Sequence, residues 1–505
     1  MEGRTKNSFR NVLTGFGNKI ISFVLAFATK TVFIRLLGAE YTGINGLYSN
    51  ILQVLSMADL GMITVLSFKL YTSILNDNKK EIASTISYYR KFYTIVGCTI
   101  LGIGIVIIPF LHYIINSSLS QDRLILYYIL FLANTSLSYF FVYKTTLLEA
   151  DQKQYIISNT TTIATLVMYV LQIVYLLINR DYFGYLIIQL LCTFCKNFIL
   201  SKIAEKKYPY IKNKALIDRS SIDKKGLFAD VKATFIYKIC TVLLNNTDNI
   251  LISVIVSTVA VGYYSNYYSL IQYIGAYMYA LSTGLTASIG SLNAEQDAEK
   301  SYSLFNSILL LFSGITCVCV TVFACCVQSF VPLWIGDEYL LDYNCVVAVL
   351  LLFYFSTVST PSLIFRETMG LFKQVKYVMI PTVLLNIGLS IILGKIMGIA
   401  GIIYATSISK IFTNYWYEPY LIYKTKFHSP YSLYLMKQIR FLISTILSVV
   451  ISLYITSFLG KGFALLVCKA IIAFIISALV WFGINRRCVG MSYVVNKIKG
   501  LLRKE

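Results

Sequence analysis

Runs of about twenty apolar residues recur from one end of this chain to the other, and they constrain its fold more than any motif does. Each is long enough to cross a hydrocarbon layer about 30 Å thick as a helix. Inside such a layer the backbone N–H and C=O groups must be satisfied within the segment itself, so helices are the form these runs take. About fourteen spans are read, at 12–34, 44–71, 92–115, 124–143, 156–178, 183–200, 230–256, 261–289, 303–331, 343–365, 377–394, 398–421, 438–458 and 463–484. The composition agrees, with 57% hydrophobic and 13% charged residues where soluble domains carry about 25% charged. That balance excludes a soluble enzyme, a nucleic-acid-binding protein and a disordered chain. The expected fold is all-α and integral to a membrane. The basic N-terminus reads as an uncleaved first span, because no small-residue cleavage site follows a short apolar core.

The excess of base over acid is largely a statement about orientation. With 44 Lys+Arg against 23 Asp+Glu, the formal net charge is +21. If the N-terminus is cytoplasmic, about 31 of the bases fall in cytoplasmic tails and loops and about five near the external ones, as the positive-inside bias demands. The densest cluster lies between 201 and 226, from Lys202 to Lys225. Both termini are expected in the cytoplasm, which suits an even number of spans. The tail from Arg486 to Lys504 places Val494, Ile498, Leu501 and Leu502 on one helical face. It reads either as a basic amphipathic helix on the inner leaflet or as a solvated tail.

A shift of 219 residues aligns 11–53 with 230–272 without gaps. Val12/Val231, Phe16/Phe235, Lys19/Lys238, Ile20/Ile239, Gly43/Gly262, Tyr48/Tyr267 and Gln53/Gln272 are identical. The polarity repeats as well. At about 100° per residue, Asn18, Lys19, Ser22, Thr29 and Lys30 share one side of the first span. Tyr237, Lys238, Thr241, Asn245, Asp248 and Asn249 share one side of the seventh. Two repeats of six spans that start on the same side form a parallel repeat about an axis along the membrane normal. The expected organisation is an N-terminal lobe at 1–203, a basic linker at 204–229, a C-terminal lobe at 230–423, two further helices at 424–485 and a basic tail at 486–505.

Charges inside spans cost at least about 2.5–3.5 kcal/mol each, so they mark a cavity, a partner or a pathway. The candidate substrate-binding residues of a central path are Asn18, Lys19, Lys30, Arg35, Gln53, Tyr237, Lys238, Asn245 and Gln272. Asp59 and Asp248 are the conspicuous acids and the candidates for ion coupling. The alternative is that lysines near helix ends snorkel and that Lys238 and Asp248 are structural partners. A path lined by Lys suits an anionic cargo such as a diphosphate, whereas drug cations call for more acid. The chain holds forty tyrosines, seven of them crowded between Tyr263 and Tyr279; they offer apolar faces with polar tips for sugar rings, or form interfacial belts.

Chemistry of other kinds is poorly served. External loops are short and hold no paired carboxylates for acid–base work, so an enzyme is not expected. No phosphate-binding G-x-x-x-x-G-K-[ST] loop is present. The eleven Cys are scattered in apolar runs, and Cys192-x-x-Cys195 lacks a second pair or nearby His, so they read as small hydrophobes without metal. No cofactor is expected.

Phe33-Ile34-Arg35-Leu36-Leu37-Gly38-Ala39-Glu40-Tyr41-Thr42-Gly43 and Asp59-Leu60-Gly61 resemble the opening of bacterial polysaccharide (O-antigen and capsule) flippases. Asp248-Asn249-Ile250-Leu251-Ile252-Ser253 with Val261-Gly262-Tyr263-Tyr264-Ser265 is similar to that family's seventh and eighth spans, and Arg366-Glu367-Thr368-Met369-Gly370-Leu371-Phe372-Lys373 to the stretch after the tenth. That family belongs to the multidrug/oligosaccharidyl-lipid/polysaccharide exporter superfamily. The resemblance implies a bacterial inner-membrane protein with fourteen helices in two lobes around a cationic cavity. It further implies movement of undecaprenyl-diphosphate-linked oligosaccharide from the inner to the outer leaflet by alternating access, the bilayer as partner, and polysaccharide polymerase or assembly proteins as further partners. The alternatives are a drug or cation antiporter and a peptidoglycan-precursor flippase of the same superfamily; a membrane polysaccharide polymerase fits less well.

Overall fold

The computed structural model describes residues 2–56, 70–71, 73–74, 76–213, 224–294, 297–460, 462–488 and 491. Side chains at 2–20, 212, 224–234, 280–281, 283–285, 287–288, 291–294 and 372–373 lie outside the description. Asp59 and the amphipathic part of the basic tail therefore fall outside it, as do the side chains of Asn18 and Lys19. Every regular element among the described residues is helical. Among the described residues ten helical segments are long and apolar enough to cross a membrane, and the protein is a multi-pass integral membrane protein. Two of the ten, 21–55 and 374–427, each contain a sharp bend at a glycine.

The elements used below are α1 (Glu2–Leu55), α2 (Lys79–Ile107), α3 (Gln121–Ala150), α4 (Gln154–Asn179), α5 (Tyr182–Lys207), α6 (Lys224–Ile255) and α7 (Thr258–Ala294). They continue with α8 (Ala298–Trp334), α9 (Tyr343–Val358), α10 (Thr360–Thr368), α11 (Phe372–Phe412), α12 (Asn414–Ile422), α13 (Ser432–Ser457) and α14 (Phe463–Asn485). Their starts follow from capping chemistry. The side chains of Asn78, Asp181, Asp297 and Asp342 accept from the backbone N–H groups of Glu81, Gly184, Lys300 and Cys345, which satisfies donors the first turn leaves open. Two reversals rest on glycine. Gly38 (φ 87°) bends α1 and Gly398 (φ 59°) bends α11, backbone conformations that side chains disfavour. The α1 bend has its counterpart 219 residues on, where the chain leaves helix at Ser257 between α6 and α7.

The chain divides into two compact units, Met1–Gly262 and Tyr263–Glu505. In the first, α1 packs on α4 and α6, and α3 on α2 and α5. Tyr48 is fully buried and donates from Oη to the Leu124 carbonyl at 2.7 Å. In the second, its repeat mate Tyr267 is also fully buried and accepts from Leu341 N at 3.1 Å. Each tyrosine ties its helix to backbone at the start of a later helix, α3 in one unit and α9 in the other. Identity at this position is thus matched by an equivalent job.

One end of the first unit is fastened by charge. Lys144 Nζ on α3 lies 2.6 Å from Glu205 Oε1 on α5 and donates to Ser201 Oγ at 2.8 Å. Both charged side chains are largely buried. Replacing Lys144 with Met removes the 2.6 Å contact from Glu205 and keeps the exposed Lys202, 3.5 Å away. The expected cost is about 1–3 kcal/mol, read as a lower melting temperature of the purified protein. Beyond the helix ends, Lys153 pairs with Asp151, and Tyr208 Oη donates to Asp151 Oδ2 at 2.6 Å. Burial, then that hydrogen bond, raises the Tyr208 hydroxyl above its ordinary range, and burial next to Asp151 and Asp77 pushes Tyr210 up to about 12. The start of the basic linker is thereby pinned onto α2, where Pro209–Lys212 packs.

In the second unit α13 and α14 pack on each other and on α8 through small polar side chains. Trp481 Nε1 donates to Ser313 Oγ at 3.2 Å, Asn485 Nδ2 to the Trp481 carbonyl at 2.9 Å, and Lys469 Nζ to Ser329 Oγ at 3.2 Å. Ser444, Ser448 and Ser452 of α13 are fully buried. Small residues let helices approach closely where lipid removes any hydrophobic drive for association.

Candidate functional site

The polar sides of the first and seventh spans are carried by α1 and α6, which pack against each other within the first unit. Asn50 Nδ2 of α1 donates to the Asn246 carbonyl of α6 at 3.4 Å. The candidate residues fall into groups by burial. Arg35, Gln53 and Asn245 are exposed; Lys30, Tyr237 and Lys238 are half-buried; Asp248 is buried. Gln272 is exposed on α7 in the second unit, so the structure does not bring it into the same compact unit as Gln53.

On α6, Lys238, Asn245 and Asn249 are spaced by seven and four residues, which sets them on one stripe of a helix. Asn249 is the repeat mate of Lys30, as Lys238 is of Lys19. Asn249 is buried, and its Oδ1 has no hydrogen-bond partner among the described residues. A buried amide oxygen left open in a membrane helix calls for water or a ligand group. That is the kind of lining a polar path requires.

At the bend between the arms of α1 the chain builds a latch that the spacing of residues did not reveal. Glu40 Oε1 accepts from Ser117 Oγ at 2.6 Å, from Ser118 N at 2.6 Å and from Ser118 Oγ at 2.9 Å. This carboxylate holds the loop at Ser117–Ser118 in place. The same loop takes Thr258 N on Asn116 O at 3.0 Å, and Ser253 Oγ donates to Ile114 O at 2.7 Å. The end of α6 and the start of α7 are so stitched to the first repeat.

The closest approach there is symmetric. A Cβ on Gly43 would lie 1.9 Å from the Thr258 carbonyl oxygen, and a Cβ on Gly262 would lie 2.0 Å from that of Ala39. Gly43 and Gly262 are repeat mates, and so are Ala39 and Thr258. Residue i of one repeat meets residue j of the other, and j meets i, the signature of a two-fold contact. Only glycine permits backbones this close.

Sequence reasoning also passed over the deepest ion pair. Arg366, at the end of α10, is fully buried, and its Nε lies 3.5 Å from Glu418 Oε2 on α12, itself buried. Arg366 Nη2 lies 3.2 Å from the half-exposed Glu367. Arg366 stood in a quoted motif; Glu418 sits alone in an apolar stretch, and that isolation was the available signal. The cysteines are free. Cys240, Cys317, Cys325, Cys345 and Cys488 are buried as small hydrophobes, whereas Cys98, Cys195 and Cys468 are exposed on the helices.

Known proteins resemble this arrangement. A family described as "Polysaccharide biosynthesis protein" matches residues 32–344. Among solved structures, the lipid II flippase MurJ in an inward closed conformation is similar at a TM-score of 0.68 and 15% identity, over 94% of this chain and 99% of that one. An inward-facing multidrug resistance MATE family transporter of the MOP superfamily is similar at 0.62 and 12% identity, over 81% and 96%. The Vibrio cholerae MATE transporter VcmN, in a mutant form, follows at 0.56 and 11%, over 85% and 99%. No curated protein sequence matches significantly. At these identities the structural likeness shows the fold alone, which this chain shares with the MurJ and MATE structures.

Proposed function

This chain belongs to the polysaccharide biosynthesis protein family, and from that premise we propose that it is a flippase for undecaprenyl-diphosphate-linked oligosaccharide. The cargo passes from the cytoplasmic to the outer leaflet of a bacterial inner membrane, for O-antigen, capsule or other surface polysaccharide. The lobes follow the sequence repeat, 1–203 and 230–423, with both termini cytoplasmic. The observation that carries the reading is the family match together with the repeated lysine stripe, Lys19 and Lys30 on α1 and Lys238 on α6. Point charges on flexible stems suit a diphosphate that must be bound and then released. Arg35, Gln53, Asn245, Gln272, Asn18 and Tyr237 supply hydrogen bonds along the path, and Asp248 and Asp59 are the groups for a coupling ion. Polymerase or assembly proteins would receive the product.

Removal of the gene should abolish surface polysaccharide and leave lipid-linked repeat units facing the cytoplasm. Lys30→Ala combined with Lys238→Ala should lower export at least tenfold while the protein stays at its normal level in the membrane, since two point charges on the path are lost. Unchanged export would remove the cationic path from this reading. Dye efflux that disappears with Asp248→Asn would favour a cation antiporter instead.

A further inference from the structure

One charged residue stands where an integral membrane helix should carry none. On α13, Leu433, Met436, Ile443 and Leu447 form an exposed apolar stripe, and Arg440 lies in the middle of it, also exposed. The positions recur at intervals of three and four residues, so they line one face. Arg440 is eight residues past Ser432, about 12 Å along the helix at 1.5 Å per residue. Its Nη1 donates to Cys488 Sγ at 3.2 Å, just beyond the end of α14. Among the described residues no carboxylate pairs with it. One turn back, Lys437 Nζ donates to Asn306 Oδ1 and lies 5.5 Å from the centre of the Tyr302 ring, again with no acid. Arg486 and Arg487, both exposed, follow α14 directly.

Four bases thus gather where α13 and α14 come together, at the level where α14 ends. The Lys/Arg bias places this end at the inner leaflet. Positive-inside bias alone accounts for bases beyond the helix ends. It does not account for an arginine within a lipid-facing apolar stripe, whose one hydrogen-bond partner among the described residues is a thiol, a weak acceptor. A guanidinium favours paired oxygens in the geometry that a phosphate offers.

We infer that Arg440, with Lys437, Arg486 and Arg487, binds the phosphate head of an anionic inner-leaflet phospholipid whose acyl chains lie along the apolar stripe of α13. The occupant is an amphiphile because the basic cluster and the apolar stripe are continuous on one face. The site lies outside both sequence repeats, and it gives α13 and α14 a role apart from the transport path.

The test uses the purified full chain in detergent micelles and native mass spectrometry to count retained lipid. Dioleoylphosphatidylglycerol should remain bound, and dioleoylglycerol, which has the chains without the phosphate, should not. Glycerol 3-phosphate at equal concentration should fail to displace the lipid. Lys437→Gln with Arg440→Gln should lower phosphatidylglycerol retention about tenfold, while Arg440→Lys, which keeps the charge and loses the paired N–H geometry, should lower it less, about threefold. Should the glutamine pair fail to fold, Arg486→Gln with Arg487→Gln, beyond the helix, should still lower retention severalfold. Equal retention by the folded glutamine variants, or equal binding of dioleoylglycerol, overturns the inference. So does displacement of phosphatidylglycerol by an equimolar amount of undecaprenyl diphosphate, because the site would then belong to the cargo.

Discussion

Glu418→Leu is expected to cost about 3–5 kcal/mol, because it removes the buried carboxylate that faces the Arg366 guanidinium in the interior of the second unit. Arg366 is fully buried, and the other carboxylate beside it, Glu367, is half-exposed and shares its charge with water. Arg366→Met should also cost stability, because it leaves the Glu418 carboxylate buried without that guanidinium beside it. Arg366 and Glu418 are both buried within this second unit, where a Met and a Leu add apolar surface in place of two charges. The double variant should therefore recover much of the loss. Melting temperatures of the four proteins decide it; fully additive losses in the double variant would contradict the buried-pair account.

What the sequence made legible were features with a period. Long apolar runs declare membrane helices because lipid leaves the backbone no other option. The 219-residue shift was visible in seven identities, and Tyr48/Tyr267 and Gly43/Gly262 turn out to occupy equivalent places. Pairings between distant residues carry no period. Arg366 and Glu418 are 52 positions apart, Lys144 and Glu205 are 61, and Arg440 and Cys488 are 48; no spacing rule joins them. The Glu40 latch was hidden for a related reason, since its partners are serines whose role exists only where a loop returns. The site reading sits between these cases. Which residues share the polar side of α1 and α6 follows from helical spacing, while the burial of Asp248 and the open Oδ1 of Asn249 depend on what packs beside them.

Gly43→Val and Gly262→Val should each destabilise the first unit by about 1–3 kcal/mol or more, and for one shared reason. The added Cβ meets a backbone carbonyl oxygen at 1.9 Å in one case and 2.0 Å in the other, so something must shift by about 1 Å. No rotamer change relieves a backbone contact, unlike overpacking against a flexible side chain. The turn that must yield is held by Thr258 N on Asn116 O and by Ser253 Oγ on Ile114 O, bonds that weaken steeply as they lengthen. Both substitutions force apart the same pair of turns, so their costs should not add: the double variant should melt close to the worse single variant. Fully additive losses would show two independent contacts and would remove the two-fold relation between the repeats. Gly102→Val provides the control, since a Cβ there meets nothing within 4 Å and its cost should be small. On the proposed function these turns lie at the outer end of the path. A pair of bare backbones can meet and part there without carrying a side chain through each other, so valine at either position should also lower export in protein that still reaches the membrane.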